Sequence, residues 1–359
     1  MDIPHYQFGP TTVAKVKDSG ELKQLLIDPW FDSENIIIKP NWVSTDPGEF
    51  TDAETLRILF EALDARIIVT ESYSLLRSMN ILKEGLSFTA RDRVVNWKWL
   101  LKGDGWTWLT ENEDWDWFIQ GGHWEQIRQE DQAFRDRYGF TDLFNEFNVT
   151  YINVTEEVWS GRIADPAAVK QSVESRFRPV HIEKLYRMVP KALYDLRGST
   201  FVSFARLKMY ASYTFKNLFG MIPDPLRPWW HGPEGCSILH SIVDINKVYH
   251  ALFNVYGICE ALNLTAYIHP DGQYEGVYAG KYNITEGSGV IVFGRDLVSI
   301  DAMLLNLSDP SIRWTADFNR ASIELAEDEF GLVDRKAIEE SRKKVQHWIS
   351  PLAIDTNGP

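Results

Sequence analysis

The apolar positions of residues 35–70 predict a strand, a helix and a second strand. The run Asn35 to Lys39 is short and apolar, which is typical of a buried strand, and Pro40 ends it. After Thr51, which opens a capping box, apolar residues recur at the spacing of one helix face. A second short apolar run covers Arg66 to Thr70. This succession predicts a βαβ unit with a parallel, right-handed crossover.

The rest of the chain continues the alternation of strands and helices. Further strands are predicted at 149–154, 199–204, 264–268 and 289–293. Helices are predicted at 165–198 with an interruption at Pro190, at 244–262, at 319–330 and at 334–349, and the segment 211–222 fits either helix or loop. We therefore predict an α/β fold with a mostly parallel, Rossmann-like sheet and helices on both faces.

A tryptophan-rich stretch interrupts this pattern. Seven of the 14 tryptophans lie between Trp97 and Trp124, mostly as W-x-W pairs. We interpret residues 75–135 as an inserted cap or lid on a single α/β domain formed by residues 1–74 and 136–359. The aromatic residues fit a small satellite core, a wall that stacks on an aromatic or sugar-like ligand, or a contact in an oligomer. A homo-oligomer is therefore left open.

Composition narrows the class of protein. The net charge of −14 disfavours a nucleic acid as the main partner. Because no stretch of about 18 apolar residues occurs, we expect no membrane span. The only cysteines, Cys236 and Cys259, cannot provide a disulfide framework or ligate an iron–sulfur cluster by themselves. The N-terminus lacks a secretory signal, so we expect a cytoplasmic protein.

Basic and amide side chains follow several of the predicted strands. Lys39 and Asn41 follow the first strand, Glu71 follows the second, and Lys208 follows the strand at 199–204. Ligands of open α/β sheets bind at the carboxyl ends of the strands, and lysine and amide donors suit a phosphate or a carboxylate. The predicted anion pocket consists of Lys39, Asn41, Lys208, Lys216 and Asn217, with Glu71 and Asp271 as further substrate-binding candidates.

A second interpretation of the same lysines is structural. Buried lysines without an anion would repel one another and lose charge, unless each is paired with an acidic residue. The acidic residues available for such pairs are Asp52, Glu71, Asp271 and Asp301.

Two residues are candidates for catalysis. Lys216, in the sequence TFKNLFG, is the first candidate for a base or a Schiff-base nucleophile. His231 is a candidate for general acid–base chemistry or for a loop hydrogen bond. A metal site formed by His231, His269 and Asp271 is not favoured, since no H-x-x-x-H spacing occurs. Nucleotide and hydrolase signatures are also missing, so the cofactor and the reaction class are left open.

Several motifs in a fixed order carry a resemblance to a known family. They are IIIKPNWV (36–43), the helix entry at 51–52, VTES (69–72), RLK (206–208), FKNLFGMIP (215–223), His231, PDGQYEG (270–276), GRDLVSIDAM (294–303) and AEDEFG (326–331). With these motifs the chain resembles the family known as domain of unknown function 362. The resemblance covers most of the chain outside the tryptophan-rich stretch.

The resemblance implies an α/β sheet protein whose polar motifs gather on one side. Some members of the family are fused to ferredoxin-like modules, but the family implies no particular reaction. Members often carry a histidine two residues after the lysine of the RLK motif, where this chain has Tyr210. This difference and the missing ferredoxin cysteines weaken a redox role.

The sequence favours a cytoplasmic enzyme that acts on a small anionic metabolite. In this hypothesis the lysine and asparagine side chains hold the anion, and His231 moves a proton. The first alternative is a non-catalytic protein that binds a partner through its aromatic insertion. The second is a redox accessory that works with a separate iron–sulfur protein.

Overall fold

A large sheet with helices on both faces organises the chain. The structure is a computed structural model. It describes residues 3–77, 123–208, 213–223, 227, 238–269, 271–276, 280–307 and 313–349. His231 and most of the tryptophan-rich stretch lie outside these residues.

Eleven strands occur in the described part of the chain. They are β1 (His5–Phe8), β2 (Thr11–Lys15), β3 (Asn35–Lys39), β4 (Arg66–Glu71), β5 (Thr150–Asn153), β6 (Thr200–Arg206), β7 (Asn254–Ala261), β8 (Leu264–Ile268), β9 (Tyr274–Gly276), β10 (Gly280–Glu286) and β11 (Val290–Gly294). Eight form the main sheet in the order β1-β2-β11-β7-β6-β3-β4-β5. Neighbours are parallel from β7 to β5, and β1, β2 and β11 pair antiparallel. The predicted α/β fold with a mostly parallel sheet is confirmed.

The helices surround this sheet. They are α1 (Ser19–Leu25), α2 (Ala53–Ala62), α3 (His123–Arg137), α4 (Phe140–Glu146), α5 (Val154–Trp159), α6 (Pro166–Glu174), α7 (Lys191–Tyr194), α8 (Thr214–Asn217), α9 (Ile238–Leu252), α10 (Leu297–Leu307), α11 (Arg313–Phe330) and α12 (Arg335–Ile349). Short 3-10 turns cover Pro29–Asp32, Leu75–Arg77, Glu183–Arg187 and Leu218–Met221. None of the helices described here combines the length and the apolar character that crossing a membrane requires.

Strand β3 shows how the sheet separates two cores. Ile36 and Ile38 point into the core beneath α1, α2 and α4, whereas Ile37 points into the core beneath α9, α10 and α12. All three side chains are fully buried. A strand that is buried on both faces needs a continuous apolar run, which explains why 35–39 lacks the alternation of a half-exposed strand.

The predicted βαβ unit forms, with a small change at its helix start. Strands β3 and β4 pair in parallel, with Ile37 opposite Ile68. Asp52, not Thr51, caps α2 by accepting a hydrogen bond from the backbone of Thr55 at 2.9 Å. The Thr51 hydroxyl instead accepts the backbone N–H of Asn41 at 3.0 Å.

Two predicted helices are shorter than expected. The segment 244–262 is helical only up to Leu252, and Asn254–Ala261 is strand β7 in the middle of the sheet. Gly257 allows α10 to pack closely on this strand, because a Cβ atom at position 257 would lie 2.7 Å from Ile300 of α10. Segment 165–198 contains only α6, α7 and one 3-10 turn.

A smaller sheet covers the loop between β3 and α2. Strands β8, β10 and β9 pair antiparallel in this sheet. The Tyr282 hydroxyl donates to the carbonyl of Pro47 at 3.1 Å, and Gly48 packs against Ala266 and Ile284. The loop at 44–51 is thereby held against the main sheet.

The ends of the tryptophan-rich stretch are joined by a buried ion pair. Arg77 contacts Asp131 of α3 at 2.5 Å, and both side chains are almost completely buried. Arg77 also donates to the carbonyl of Trp42 at 2.7 Å. Helix α3 runs across residue 135, where we placed the end of the insertion, and residues 78–122 lie outside the described part. The division into a domain and a cap therefore stays a prediction.

Candidate functional site

The carboxyl ends of three adjacent parallel strands meet at one edge of the main sheet. Strand β3 ends at Lys39, β4 at Glu71 and β6 at Arg206. The order β6-β3-β4 places β3 in the centre. The structure brings together at this edge four of the predicted residues, which are Lys39, Asn41, Glu71 and Asn217.

Lys39 is held entirely by the protein. Its side chain is 2% exposed. The ammonium donates to Glu71 Oε2 at 2.7 Å, to Asn217 Oδ1 at 3.0 Å and to the carbonyl of Pro40 at 3.0 Å. These three acceptors use its three protons. Burial lowers the pKa of Lys39 to about 8, while Glu71 opposes the shift. For Lys39, the structure thus agrees with the interpretation that the lysine is paired.

Glu71 links the carboxyl ends of β3 and β4 by ionic and hydrogen-bond contacts. Its Oε2 accepts from Lys39 and, at 3.4 Å, from the backbone N–H of Trp42. Its Oε1 accepts the backbone N–H of Ser72 at 2.9 Å. The side chain is 2% exposed. A buried carboxylate needs such partners, because an uncompensated charge away from water is strongly unfavourable.

Gly220 brings the KNLFG segment close to this ion pair. A Cβ atom at position 220 would lie 2.5 Å from Lys39 Nζ and 3.0 Å from Glu71 Oε1. The Ser72 hydroxyl donates to the Gly220 carbonyl and fixes the approach. The glycine at the end of KNLFG is therefore required by the space around Lys39.

Replacing Gly220 with alanine is expected to lower the free energy of unfolding by about 1–3 kcal/mol, because the new methyl group displaces the buried Lys39 ammonium. Urea unfolding measures the loss. Gly20→Ala is the control, since a Cβ there meets only Asp18 at 3.3 Å, and its effect should stay within about 1 kcal/mol. Equal effects of the two substitutions would contradict the close packing at Gly220.

Lys208 differs from Lys39 although both are buried. It is 5% exposed. Its ammonium makes no hydrogen bond and no ion pair with the described part of the chain. Burial lowers its pKa to about 8, Glu49 opposes this shift, and Arg206 and Lys39 add to it. Lys208 is thus a buried cation that the described residues do not neutralise by direct contact.

The arginine of the RLK motif is structural. Arg206 donates to Asp52 Oδ2 at 2.8 Å, to the Phe50 carbonyl at 2.6 Å and to the Leu264 carbonyl at 2.9 Å. It joins β6 to the start of α2 and to the smaller sheet. The protein thus holds Arg206 by direct contacts, whereas Lys208 makes no hydrogen bond or ion pair with the described residues.

Glu49 is a site residue that the sequence analysis missed. It is completely buried, accepts a hydrogen bond from Ser44 at 3.3 Å, and exerts the largest opposing electrostatic effect on Lys208. A Cβ atom at Gly276 of the smaller sheet would lie 2.8 Å from Glu49 Oε1. The sequence feature that could have identified Glu49 is its position in the loop that follows Lys39-Pro40-Asn41.

Three other candidate residues lie elsewhere. The Lys216 ammonium lies 5.4 Å from the ring centroid of Phe318 in α11. Asp271 is exposed in a turn of the smaller sheet, where its backbone donates to His269 Nδ1 at 3.0 Å. His231 is outside the described residues, so its predicted role is untested.

Asp301 accepts hydrogen bonds at the start of α8 and forms no ion pair with a lysine of the described part of the chain. It accepts hydrogen bonds from the Thr214 hydroxyl at 2.7 Å and from the backbones of Phe215 at 3.2 Å and Tyr213 at 3.3 Å. Burial raises the pKa of Asp301 to about 7, although these hydrogen bonds oppose the shift. Its carboxylate fixes the helix that carries Lys216 and Asn217.

Within the described ranges, no group of three histidine, cysteine or acidic side chains is arranged to hold a metal ion. Of the two cysteines, Cys259 is buried in β7, and burial raises the pKa of its thiol well above the usual value.

Comparison with known proteins identifies the family. No curated protein and no solved structure matches the chain. A family model described as a domain of unknown function (DUF362) matches residues 36–306. The match includes β3, β4, β6, α8 and Asp301, which form or position the cluster described above. The chain belongs to the DUF362 family.

Proposed function

We propose that this chain is an enzyme acting on a small anionic metabolite, which binds at the carboxyl edge of the parallel strands. Lys208 receives the negative charge of the metabolite. The cluster of Lys39, Glu71 and Asn217 positions the strand ends around it. No nucleic acid is involved in this function.

The buried side chain of Lys208, whose ammonium makes no hydrogen bond or ion pair with a described residue, is the observation that supports the proposal most. A buried charge without a partner is unfavourable, and an anionic ligand that contacts it would remove this penalty. Its position after β6 is the place where ligands bind in open α/β sheets. Lys39 cannot take the same role, because Glu71, Asn217 and Pro40 occupy its three protons.

The lowered pKa of Lys208 supports an enzyme because this lysine, unlike Lys39, makes no hydrogen bond or ion pair with the described residues. With a pKa of about 8, both the charged and the neutral form of the lysine are populated near neutral pH. Such a group can give up and regain a proton during a reaction, and shifted pKa values concentrate at functional sites. In this proposal Lys208 takes the place of Lys216, which lies against Phe318.

Thermal unfolding with a panel of phosphorylated and carboxylated metabolites tests the proposal. An anion at one hundred times its dissociation constant should add about 2.7 kcal/mol to the free energy of unfolding. Chloride at equal ionic strength controls for general salt effects. The proposal fails if no anion stabilises the protein beyond chloride.

Product analysis separates an enzyme from a binding protein. Each stabilising anion is incubated with the protein, alone and with cell extract passed through a small-molecule filter as a source of co-substrates. Conversion that requires the protein supports an enzyme. Binding of every hit without conversion would favour the non-catalytic alternative.

A further inference from the structure

A chain of hydrogen bonds determines how the amide of Asn41 is oriented. Asn217 Nδ2 donates to the carbonyl of Lys39 at 3.1 Å, and also to Ser203 Oγ at 3.3 Å. A backbone carbonyl can only accept, so the amide nitrogen of Asn217 must face Lys39 O. Asn217 Oδ1 is then directed at the Lys39 ammonium and at Asn41.

Asn41 must therefore present its nitrogen to Asn217. The Asn41 Nδ2 atom donates to Asn217 Oδ1 at 3.1 Å. Rotating the amide by half a turn would place two carbonyl oxygens against each other. The orientation of Asn41 follows from the network and does not depend on telling nitrogen from oxygen.

The remaining atom of the Asn41 amide is a buried acceptor. Its Oδ1 is shielded from solvent and has no hydrogen-bond partner in the described part of the chain. A buried acceptor without a donor costs about 1–3 kcal/mol. Asn41 directly follows β3 at the same edge of the sheet as Lys208.

We propose that the metabolite carries a hydrogen-bond donor beside its anionic group, as a 2-hydroxy or 2-amino carboxylate does. The anionic group contacts Lys208, and the hydroxyl or ammonium group donates to Asn41 Oδ1. This inference rests on the proposed function, because it specifies the ligand of the same site.

The charges around Lys208 support a singly charged anionic group with a donor. Glu49 and Asp46 both act on Lys208 electrostatically, and Glu49 is completely buried. Carboxylates that act on this lysine also repel a dianion such as phosphate more strongly than a monoanion. They also favour a hydroxyl or ammonium donor on the ligand.

Matched probes test the inference by isothermal titration calorimetry. Propionate, lactate and alanine share a three-carbon carboxylate and differ in carrying hydrogen, hydroxyl or ammonium at carbon 2, and inorganic phosphate is the dianionic probe. We expect lactate or alanine to bind the wild-type protein about five- to tenfold more tightly than propionate, and phosphate to bind more weakly than either.

Substitutions of two asparagines show which residue causes the preference for a carboxylate that carries a donor. In Asn41→Ala the ratio between donor-bearing and plain carboxylates should fall to about one, while propionate still binds. Asn35→Ala is the matched control, because Asn35 Oδ1 is also buried without a hydrogen-bond partner among the described residues but lies at the opposite end of β3. This variant should keep the wild-type ratio. Circular dichroism verifies that both variants are folded. The comparison of propionate, lactate and alanine on the wild-type protein does not depend on either variant.

The outcomes separate this inference from the proposed function. Equal affinity of wild-type protein for propionate, lactate and alanine would overturn the inference, while the anion site would stand. A preference that survives in Asn41→Ala would overturn it as well. If no probe binds, the inference fails, and the proposed function is then decided by the metabolite panel. If binding is unchanged in Lys208→Met, the proposed role of Lys208 fails and the inference fails with it.

Discussion

Replacing Lys39 with methionine is expected to lower the free energy of unfolding by about 3–5 kcal/mol. The substitution leaves the carboxylate of Glu71 buried without the ammonium that lies 2.7 Å away. It also removes one of the two donors to Asn217 Oδ1. Methionine fills a similar volume, so the loss reports the charge and not a cavity. Urea unfolding at pH 7 measures it.

An exposed ion pair provides the control for Lys39. Lys23 contacts Asp64 at 2.5 Å, with side chains that are 51% and 79% exposed. Lys23→Met should change the free energy of unfolding by less than about 1 kcal/mol, because water screens this pair. The double variant Lys39→Met, Glu71→Met removes both buried charges and should recover part of the loss. If Lys39→Met costs no more than Lys23→Met, the account of Lys39 as a buried structural cation is wrong.

Replacing Lys208 with methionine is expected to weaken anion binding strongly without destabilising the free protein. The ammonium of Lys208 has no hydrogen-bond or ion-pair partner among the described residues, so the substitution breaks no contact of that kind. Removal of a buried charge by an apolar side chain of similar size is often neutral or stabilising. We expect anions that stabilise the wild-type protein to bind at least about tenfold more weakly to this variant, which corresponds to about 1.4 kcal/mol.

The pH dependence of stability provides a second readout for Lys208. The pKa of this lysine is lowered from 10.5 to about 8 in the folded protein. Between these values the unfolded chain binds more protons than the folded chain, so this group makes stability rise as pH increases from 8 to 10.5. The rise should be smaller in Lys208→Met than in the wild-type protein.

The control for Lys208→Met is Lys336→Met, which changes an exposed lysine at the start of α12. This variant should bind anions as the wild-type protein does. A large loss of stability in Lys208→Met would show that Lys208 is paired inside the protein. Unchanged anion binding would show that it is not the anion-binding residue.

The sequence was sufficient to predict the edge of the sheet at which the polar residues meet. The strands Asn35–Lys39 and Arg66–Glu71 consist of short apolar runs that end in a charged residue, Lys39 and Glu71. Since parallel strands end at the same edge, this local pattern implies that Lys39 and Glu71 are neighbours. It does not imply that they form an ion pair.

Strand β7 could not be recognised from local periodicity. Residues 254–261 continue the apolar pattern of α9, and the change from helix to strand follows from packing between β6 and β11. Short apolar runs fit a helix or a strand equally well, and their tertiary contacts decide. Gly257 was the local signal, because it permits the close approach of Leu297 and Ile300.

The separate roles of the three lysines also required the structure. Lys39, Lys208 and Lys216 all lie in polar motifs bordered by apolar residues. Their partners come from distant segments, namely Glu71 and Asn217 for Lys39, and Phe318 for Lys216. Sequence spacing contains no information about such contacts.

A titration of the lysine side chains by NMR tests the central claim, that Lys208 is a buried cation open to an anion. We expect two lysine signals with a pKa of about 8 in the wild-type protein, those of Lys39 and Lys208, and only the Lys39 signal in Lys208→Met. Adding a stabilising anion should raise the pKa of Lys208, because the anion favours the charged form. A Lys208 signal that titrates near 10.5, or that does not respond to any anion, would contradict the account.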